Sequence, residues 1–362
     1  MKTSAFIFFL LMFSLTAGAQ EAPLSQTEYV KLLYSLQKDP ARKPELVEAL
    51  RVRGIAFTLT DGIRGLTRSK GRNDDDLQRA LEEAERRRLN PASSQLPSKA
   101  EALELLESTR KNTLSATDGM PDFVVKQQIQ RSAAYAGTNN FRNLDRLVVA
   151  VSYRSTGQED YRVLSVNGVI QQDQSSRPSY QEVGGTSSTG EFVTMLSTVF
   201  KPESATNFQI IDTDVLRGRK AVVFGFSISR DRAKQLITST GLSTRSTITG
   251  MKGRLWIDRN DRRVLRIDSE ATEIPENFPI RTAKRVIDYD WTTINEEKYL
   301  LPALSDVRLT FREKSEIFET RNLIRFKEYQ KYGTDVIVLD EDTEPVPEET
   351  PEPAKDVILP ID

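Results

Sequence analysis

The stretch Gly253-Arg-Leu-Trp-Ile-Asp-Arg-Asn-Asp-Arg-Arg-Val-Leu-Arg-Ile-Asp268, which continues to Ile274-Pro275, decides the fold. Side chains alternate along its two arms, with Leu255, Trp256, Ile257 and Asp258 on the first and Val264, Leu265 and Ile267 on the second. A period of two is typical of β-strands. Asn260-Asp261 lies between the arms, and short polar side chains favour turns because they tolerate left-handed backbone. The stretch therefore predicts a β-hairpin.

The same period of two recurs on both sides of this hairpin. It predicts strands over residues 123–131, 144–153, 159–166, 208–211, 221–229, 281–294, 298–301, 305–313 and 318–326. Their connections are mostly of hairpin length, and Asn167-Gly168 is a typical hairpin turn. Successive strands with short connections favour one strongly curved antiparallel sheet.

Several segments resemble the lipoprotein-carrier-like (LolA/LolB-like) proteins, with exported acidobacterial relatives as the most similar group. The matching segments are Gly253–Asp258 with Val264–Ile267, Gly218–Phe224, Val286–Tyr289, Tyr299–Pro302 and the strand after Ser305. The resemblance covers residues 123–326. It implies an α+β fold, a half-open antiparallel β-barrel whose concave side is plugged by helices. In that family the enclosed apolar cavity holds acyl chains.

If this chain encloses such a cavity, its wall needs inward apolar side chains from several strands and from a plug helix over residues 192–200. The candidate residues are Trp256, Leu255, Ile257, Val264, Ile267, Phe224, Phe226, Phe192 and Met195. The alternative is that these side chains fill a closed core, as most buried apolar residues do. The sequence alone leaves both interpretations open.

A small all-α module is predicted over residues 24–90, before the half-barrel domain at 98–338. Ser25 begins the first helix, and Asn73 is the predicted cap of the fourth. Val52–Phe57 and the Leu66, Gly71, Leu77 spacing resemble a helical module near the N-terminus of exported bacterial proteins. The Pro- and Ser-rich segment 90–97 predicts the boundary.

The ends of the chain predict export and a disordered tail. Residues 1–19 read as a secretory signal peptide, with Lys2, an apolar run and the small-residue site Ala17-Gly18-Ala19. We expect cleavage before Gln20, a periplasmic or secreted protein and no transmembrane segment after cleavage. Residues 340–362 hold nine acidic residues, one lysine and five prolines, which predicts a disordered acidic tail.

The composition excludes several kinds of chemistry. The chain has no histidine and no cysteine, so histidine-based catalytic triads and the usual zinc, haem and iron–sulfur ligands are missing. Export and a net charge of −1 disfavour nucleic acid as a partner. Asp258, Asp261 and Asp268 could pair as acids and bases, but turn capping explains them better. The sequence therefore predicts no catalytic residue, no metal and no cofactor.

Two functions remain. The first is a non-enzymatic envelope protein that binds a lipid or a lipoprotein acyl chain in the half-barrel cavity. The second is an envelope scaffold that binds another envelope protein and whose half-barrel is fully packed. An enzyme that uses carboxylates is the least supported.

Overall fold

The structure is a computed structural model, and it describes residues 22–91, 94–171, 183, 185–239, 244–313 and 316–332. The predicted signal peptide (1–19) and acidic tail (340–362) lie outside the described residues. The chain divides into two compact units. One comprises residues 1–96 together with Asp212–Val215, and the other comprises the rest.

The first unit contains four α-helices: α1 (Gln26–Lys38), α2 (Lys43–Arg53), α3 (Asp61–Lys70) and α4 (Asp75–Leu89). Ser25 and Thr60 cap α1 and α3, since their side chains accept amide hydrogens of the first turn. The cap of α4 is Asp74, which accepts from the Leu77 amide, and not Asn73. Asn73 instead takes a left-handed conformation, with φ of 52°, just before the cap. The apolar faces of these helices form one core around Tyr29, Leu33, Leu50 and Leu77.

The second unit begins with α5 (Lys99–Asp118), which has a capping box between Ser98 and Glu101. The strands of the chain are β1 (Phe123–Tyr135), β2 (Arg142–Tyr153), β3 (Glu159–Val166), β4 (Val169–Ile170), β5 (Asn207–Leu216), β6 (Arg219–Ile228), β7 (Gln235–Ser239), β8 (Arg245–Asp258), β9 (Val264–Thr272), β10 (Ile280–Ile294), β11 (Glu297–Glu313) and β12 (Glu316–Lys331). Residues 212–215 of β5 belong to the first unit, and the other strand residues belong to the second. Two short helices, α6 (Thr194–Phe200) and α7 (Arg230–Ala233), interrupt the series.

The twelve strands form one antiparallel sheet in the order β4-β3-β2-β1-β12-β11-β10-β9-β8-β6-β5, with β7 paired to β8 beside this path. Within the described residues, β4 and β5 are the two edge strands: each pairs with one neighbour only, and they do not pair with each other. The sheet therefore does not close. The α+β class and the half-open antiparallel half-barrel that the sequence predicted are confirmed.

The hairpin of the deciding stretch is formed by β8 and β9. Its turn rests on Asp258, whose Oδ1 accepts the amides of Asn260 and Asp261, each at 2.8 Å. The left-handed residue is Arg262, with φ of 53°, and not Asn260 or Asp261. The Asp258 carboxylate also pairs with Arg219. Turn capping therefore accounts for this aspartate.

Strand β11 runs unbroken through Pro302, where the sequence predicted two separate strands. Pro302 lacks an amide hydrogen, which interrupts a hydrogen-bond ladder. The sheet accommodates it with a β-bulge in β11: Asp288 pairs with Leu304 and Tyr289 pairs with Pro302, so Ala303 has no residue opposite it. The bulge lets one long strand replace the two short ones.

One face of the sheet packs against α5 and α6, and we call it the inner face. A row of paired residues crosses it from β2 to β6: Leu147, Ile129, Ile324, Ser305, Ile287, Ile267, Leu255 and Phe224. All but Ser305 are apolar. Leu105 and Leu106 of α5, with Leu196 and Phe200 of α6, are buried in the same core as the β6 to β10 half of this row.

Candidate functional site

Seven of the nine candidate cavity residues form one cluster on the inner face: Leu255, Ile257, Val264, Ile267, Phe224, Phe226 and Met195. Each is at most 5% exposed. Met195 comes from α6, and the other six come from β6, β8 and β9. The chain's own helices therefore cover this part of the wall.

Phe192 lies in the adjoining cluster and is the centre of an aromatic group. Its ring centroid is 5.3 Å from that of Phe123, 5.6 Å from that of Phe326 and 6.4 Å from that of Tyr329. These three contacts are edge-to-face, the geometry that aromatic quadrupoles favour. Phe192 thus extends the inner wall toward β1 and β12.

Trp256 lies on the opposite face of the sheet. Successive residues of a strand point to opposite faces, so Trp256 cannot share the inner wall with Leu255 and Ile257. It packs with Val223 and Leu265 in a separate cluster. The guanidinium carbons of Arg254 and Arg266 lie 5.1 and 5.8 Å from its ring centroid. Those two arginines cover an aromatic ring on the outer face, and both also pair with carboxylates there.

The inner face also buries polar atoms that have no hydrogen-bond partner among the described residues. They are Gln127 Nε2 and Oε1, Ser305 Oγ, Tyr289 Oη and Glu191 Oε2. Each of these four residues is essentially inaccessible to solvent. Buried polar groups are nearly always paired, and an unpaired one costs about 1–3 kcal/mol. Such atoms on a mostly apolar wall mark where a bound molecule or water would be held.

Two of these atoms belong to a group of buried and partly exposed carboxyl and phenol side chains, which we call the Glu191 cluster: Glu159, Tyr161, Glu191, Tyr289 and Tyr329. Tyr161 Oη donates to Glu159 Oε2 at 2.5 Å, and the Gly190 amide donates to the same oxygen at 3.0 Å. Ser188 Oγ donates to Glu191 Oε1. Tyr329 Oη donates to the carbonyl of Pro302 at 2.7 Å.

The pKa values of four members of the cluster are displaced upward. Burial raises the pKa of Tyr161, Tyr289 and Tyr329, and the nearby charge of Glu191 raises each of them further. Burial also raises the pKa of the Glu159 carboxyl, and Glu191 adds to this effect. Glu191 is therefore the charge that all four other members of the cluster experience.

One cation lies beside the cluster. Arg285 lowers the pKa of Glu159 and of Tyr289, against the stronger effect of burial. Its Nη1 atom donates to the carbonyl of Thr189 at 3.1 Å, and the side chain is partly exposed. Within the part of the chain that the structure describes, two carboxylates thus lie near one guanidinium.

Sequence reasoning missed this cluster because its carboxylates are 32 positions apart and neither belongs to a motif. A signal was present just before the predicted plug helix. Glu191 stands four residues before Met195, the spacing of two side chains on one helical face, although in the structure it lies in the turn before α6. An acidic residue in register with an inward apolar face is unusual, since glutamate is almost never fully buried.

The helical unit contains a surface cavity of about 270 Å³. Arg64, Arg68, Arg79 and Arg86 line it, together with Glu82 and Asp214. Glu82 pairs with Arg64, and Asp214 pairs with Arg86. Much of the basic charge is neutralised inside the unit, so this cavity is a weaker candidate site than the inner face.

Among the described helices, none combines the length and the apolar character that a membrane span needs. The same residues contain no group of three or more acidic side chains arranged to hold a metal ion.

No protein-family model matches the sequence, and no curated protein sequence matches it. Solved structures to which the chain is similar include a LolA superfamily protein from Nitrosomonas europaea, with 12% identity over 62% of this chain and 94% of that one and a TM-score of 0.27. A DUF1329 family protein from Desulfovibrio piger matches with 7% identity over 64% of this chain and 95% of that one, with a TM-score of 0.26. The MucA/MucB complex of Pseudomonas aeruginosa matches with 10% identity over 61% and 93%, and a TM-score of 0.17.

The first of these proteins belongs to the family that the sequence resembles. At these TM-scores the likenesses support nothing about ligand or partner. The description of the fold rests on the strand pairs of this chain. The similarity to acidobacterial relatives stays a prediction.

Proposed function

We propose that this protein binds an apolar chain, such as a lipid or a lipoprotein acyl chain, between the inner face of its half-barrel and helix α6. The observation that carries the proposal is the set of unpartnered polar atoms on the apolar wall. A purely structural core would pair these groups or replace them with apolar ones. A ligand with a polar head and an apolar chain would satisfy them.

Helix α6 is the element that would make room for the ligand. It has seven residues, and five of them are buried, including Met195, Leu196, Val199 and Phe200. Burying four such side chains contributes about 6–12 kcal/mol, and an acyl chain of twelve methylenes contributes about 10 kcal/mol. The two terms are of similar size, so a ligand can exchange for α6 at little net cost.

We place the protein among binding proteins and not among enzymes. The proposal rests on the absence of histidine and cysteine from the sequence and on the engagement of Asp258 in a turn. It also rests on Asp268 and Asp288, which pair with the two arginines beside Trp256.

The test is lipid binding by the full chain and by a variant with a loosened plug. Met195→Ala removes a buried side chain of α6 and should weaken its docking by about 2–5 kcal/mol. We expect Met195→Ala to bind an uncharged fluorescent lipid analogue at least tenfold more tightly than the unaltered protein, because less of α6 must be displaced. Leu236→Ala, at a site that is 67% exposed, is the control and should bind as the unaltered protein does.

Native mass spectrometry of protein purified from its source is the second measurement. A co-purified lipid mass supports the proposal. Absence of both a lipid mass and probe binding, in the unaltered protein and in Met195→Ala, would contradict it. Equal probe affinity of the two folded proteins would exclude exchange with α6.

The second candidate function is a scaffold that binds an envelope protein. The near-complete burial of the seven inner-wall residues by α5 and α6 favours it, because the chain fills its own half-barrel. A scaffold would show unchanged hydrogen exchange in α6 when lipid is added. Lipid binding would instead protect or expose those amides.

Both candidates place the protein outside the cytoplasm. The support for export is the sequence of residues 1–19. N-terminal sequencing of protein isolated from the periplasm or the medium should begin at Gln20. A mature chain that retains residues 1–19 would contradict the proposal.

A further inference from the structure

We propose that the Glu191 cluster binds the positively charged ammonium head of the apolar ligand. This inference rests on the proposed function, because it names the head group of the same ligand. It also makes a distinct claim: among ligands with equal chains, the protein selects the cationic one.

The first argument is charge. Among the described residues, Glu159 and Glu191 contribute two carboxylates, and Arg285 is the cation that acts on the cluster. Arg285 donates one hydrogen bond to the Thr189 carbonyl, and its side chain is partly exposed. Buried charges are stable only when they are paired. An ammonium group would compensate the excess negative charge.

The second argument is hydrogen bonding. A carboxylate can accept about four hydrogen bonds, and among the described residues only Ser188 donates to Glu191, on Oε1. Glu191 Oε2 and Tyr289 Oη have no partner there. Both side chains are 0% exposed. A primary ammonium group has three donors and could supply both oxygens.

The third argument is the aromatic surroundings. Phe192 follows Glu191 in the chain, and its ring contacts Tyr329, which belongs to the cluster, and Phe123. The faces of aromatic rings attract ammonium groups, and most strongly where water is excluded. A fatty-acid carboxylate would instead meet two like charges in a buried site, which is unfavourable.

A ligand can approach the cluster from solvent at Glu159 and Tyr161, which are partly exposed. Glu191 and Tyr289 are buried. The cluster thus runs from solvent to the inner wall. Tyr289 belongs to the same apolar core as Ile267 and Leu255, so an ammonium beside it would leave the attached chain along that wall.

The experiment compares probes with the same ten-carbon chain: decylamine, decanol and decanoate. Each is titrated at pH 7, below its micelle concentration, against the full-length protein loaded with an uncharged fluorescent dye. We expect decylamine to displace the dye at a concentration at least tenfold lower than decanol or decanoate. Methylammonium, which has the head without the chain, should not displace the dye at that concentration.

Variants locate the preference. Glu191→Gln should reduce the advantage of decylamine over decanol to less than threefold, and Glu159→Gln should reduce it partly. Glu203→Gln, at an exposed residue outside the cluster, is the matched control and should keep the full advantage. Circular dichroism reports whether each variant is folded. If Glu191→Gln does not fold, the test rests on Glu159→Gln, because Glu159 is partly exposed and the advantage of decylamine over decanol can still be measured in that variant.

The failures of the two proposals are distinguishable. Equal displacement by all three ten-carbon probes would overturn the ammonium proposal and leave apolar binding standing. The absence of displacement by any of them would overturn both. A full advantage of decylamine in folded Glu191→Gln and Glu159→Gln would place the head group elsewhere.

Discussion

Glu191 and Tyr289 show how a single side chain can cost stability and serve binding. Each holds a buried oxygen without a partner among the described residues. Together two such groups cost about 2–6 kcal/mol. Tyr29 in the helical unit shows the alternative, since its buried hydroxyl lies 2.8 Å from Thr67 Oγ1. Glu191 and Tyr289 lack such a partner among the described residues.

Glu159 gives a pH-dependent prediction. Burial raises its pKa, so the protonated carboxyl favours the folded state. This contribution to the free energy of unfolding is present below the pKa of the unfolded state. It is lost as the pH rises through the pKa of the folded state. The free energy of unfolding of the unaltered protein, relative to Glu159→Gln, should therefore fall as the pH rises above about 4.5. Urea unfolding from pH 4 to pH 8 measures it.

Asp122 is the control, because its pKa is shifted the other way. The Ser155 amide, which donates at 2.7 Å, and the Arg154 guanidinium lower the pKa of Asp122. The contribution of Asp122 to the free energy of unfolding is present above its pKa in the unfolded state. It is lost as the pH falls through its pKa in the folded state. Relative to Asp122→Asn, the unaltered protein should gain stability as the pH rises toward 3.8 and keep it above that value, so the urea series for this pair must begin below pH 3.8. Curves of the same slope for both variants would contradict these assignments.

At the level of elements, the close approach of neighbouring strands explains why residue 253 of the β8–β9 hairpin is a glycine. It lies between Phe226 on β6 and Ser269 on β9. A Cβ atom there would fall within contact distance of the Asp268 carbonyl oxygen and 2.8 Å from Phe226 Cε1. Only glycine lets the Phe226 ring cross the strand at this point.

Gly253→Ala should therefore destabilise the second unit by about 1–3 kcal/mol or more, because the strand or the ring must shift. Gly65→Ala, in α3, has open space around the new methyl group and should stabilise its helix by up to about 1 kcal/mol. Denaturant midpoints of the two variants should move in opposite directions. A midpoint of Gly253→Ala equal to that of the unaltered protein would show that the close approach is not needed.

Local alternation was enough to predict most strands and the half-barrel, and β3 has the predicted bounds. It failed for β7 and for the first half of β8, whose Thr- and Ser-rich residues carry a weak apolar pattern. The Glu191 cluster could not be predicted in the same way. Glu159 and Glu191 meet because Gly190 donates to Glu159 across a long connection, and alternation holds no information about that contact.

At the scale of the whole chain, the two compact units are not consecutive in sequence. Asp212–Val215 belongs to the helical unit, although the residues on either side belong to the other. Within the helical unit, Arg86 pairs with Glu83 at 2.7 Å and with Asp214 at 2.8 Å. Thr213 Oγ1 donates to Glu83 at 2.5 Å. These contacts hold a distant segment of the chain in the first unit.

Arg86→Ala tests this arrangement. The side chains of Glu83 and Asp214 are 4% and 6% exposed, so the variant leaves two buried carboxylates short of a partner, at a cost of about 3–5 kcal/mol. Arg42→Ala breaks the pair with Glu45, whose side chains are 47% and 66% exposed, and should cost less than about 1 kcal/mol. Hydrogen exchange should rise in α4 and in residues 212–215 of Arg86→Ala alone.

Equal losses of stability in both variants would mean that the buried network does not hold residues 212–215. A loss in Arg86→Ala with unchanged exchange in 212–215 would mean that Glu83 and Thr213 suffice to keep the segment in place.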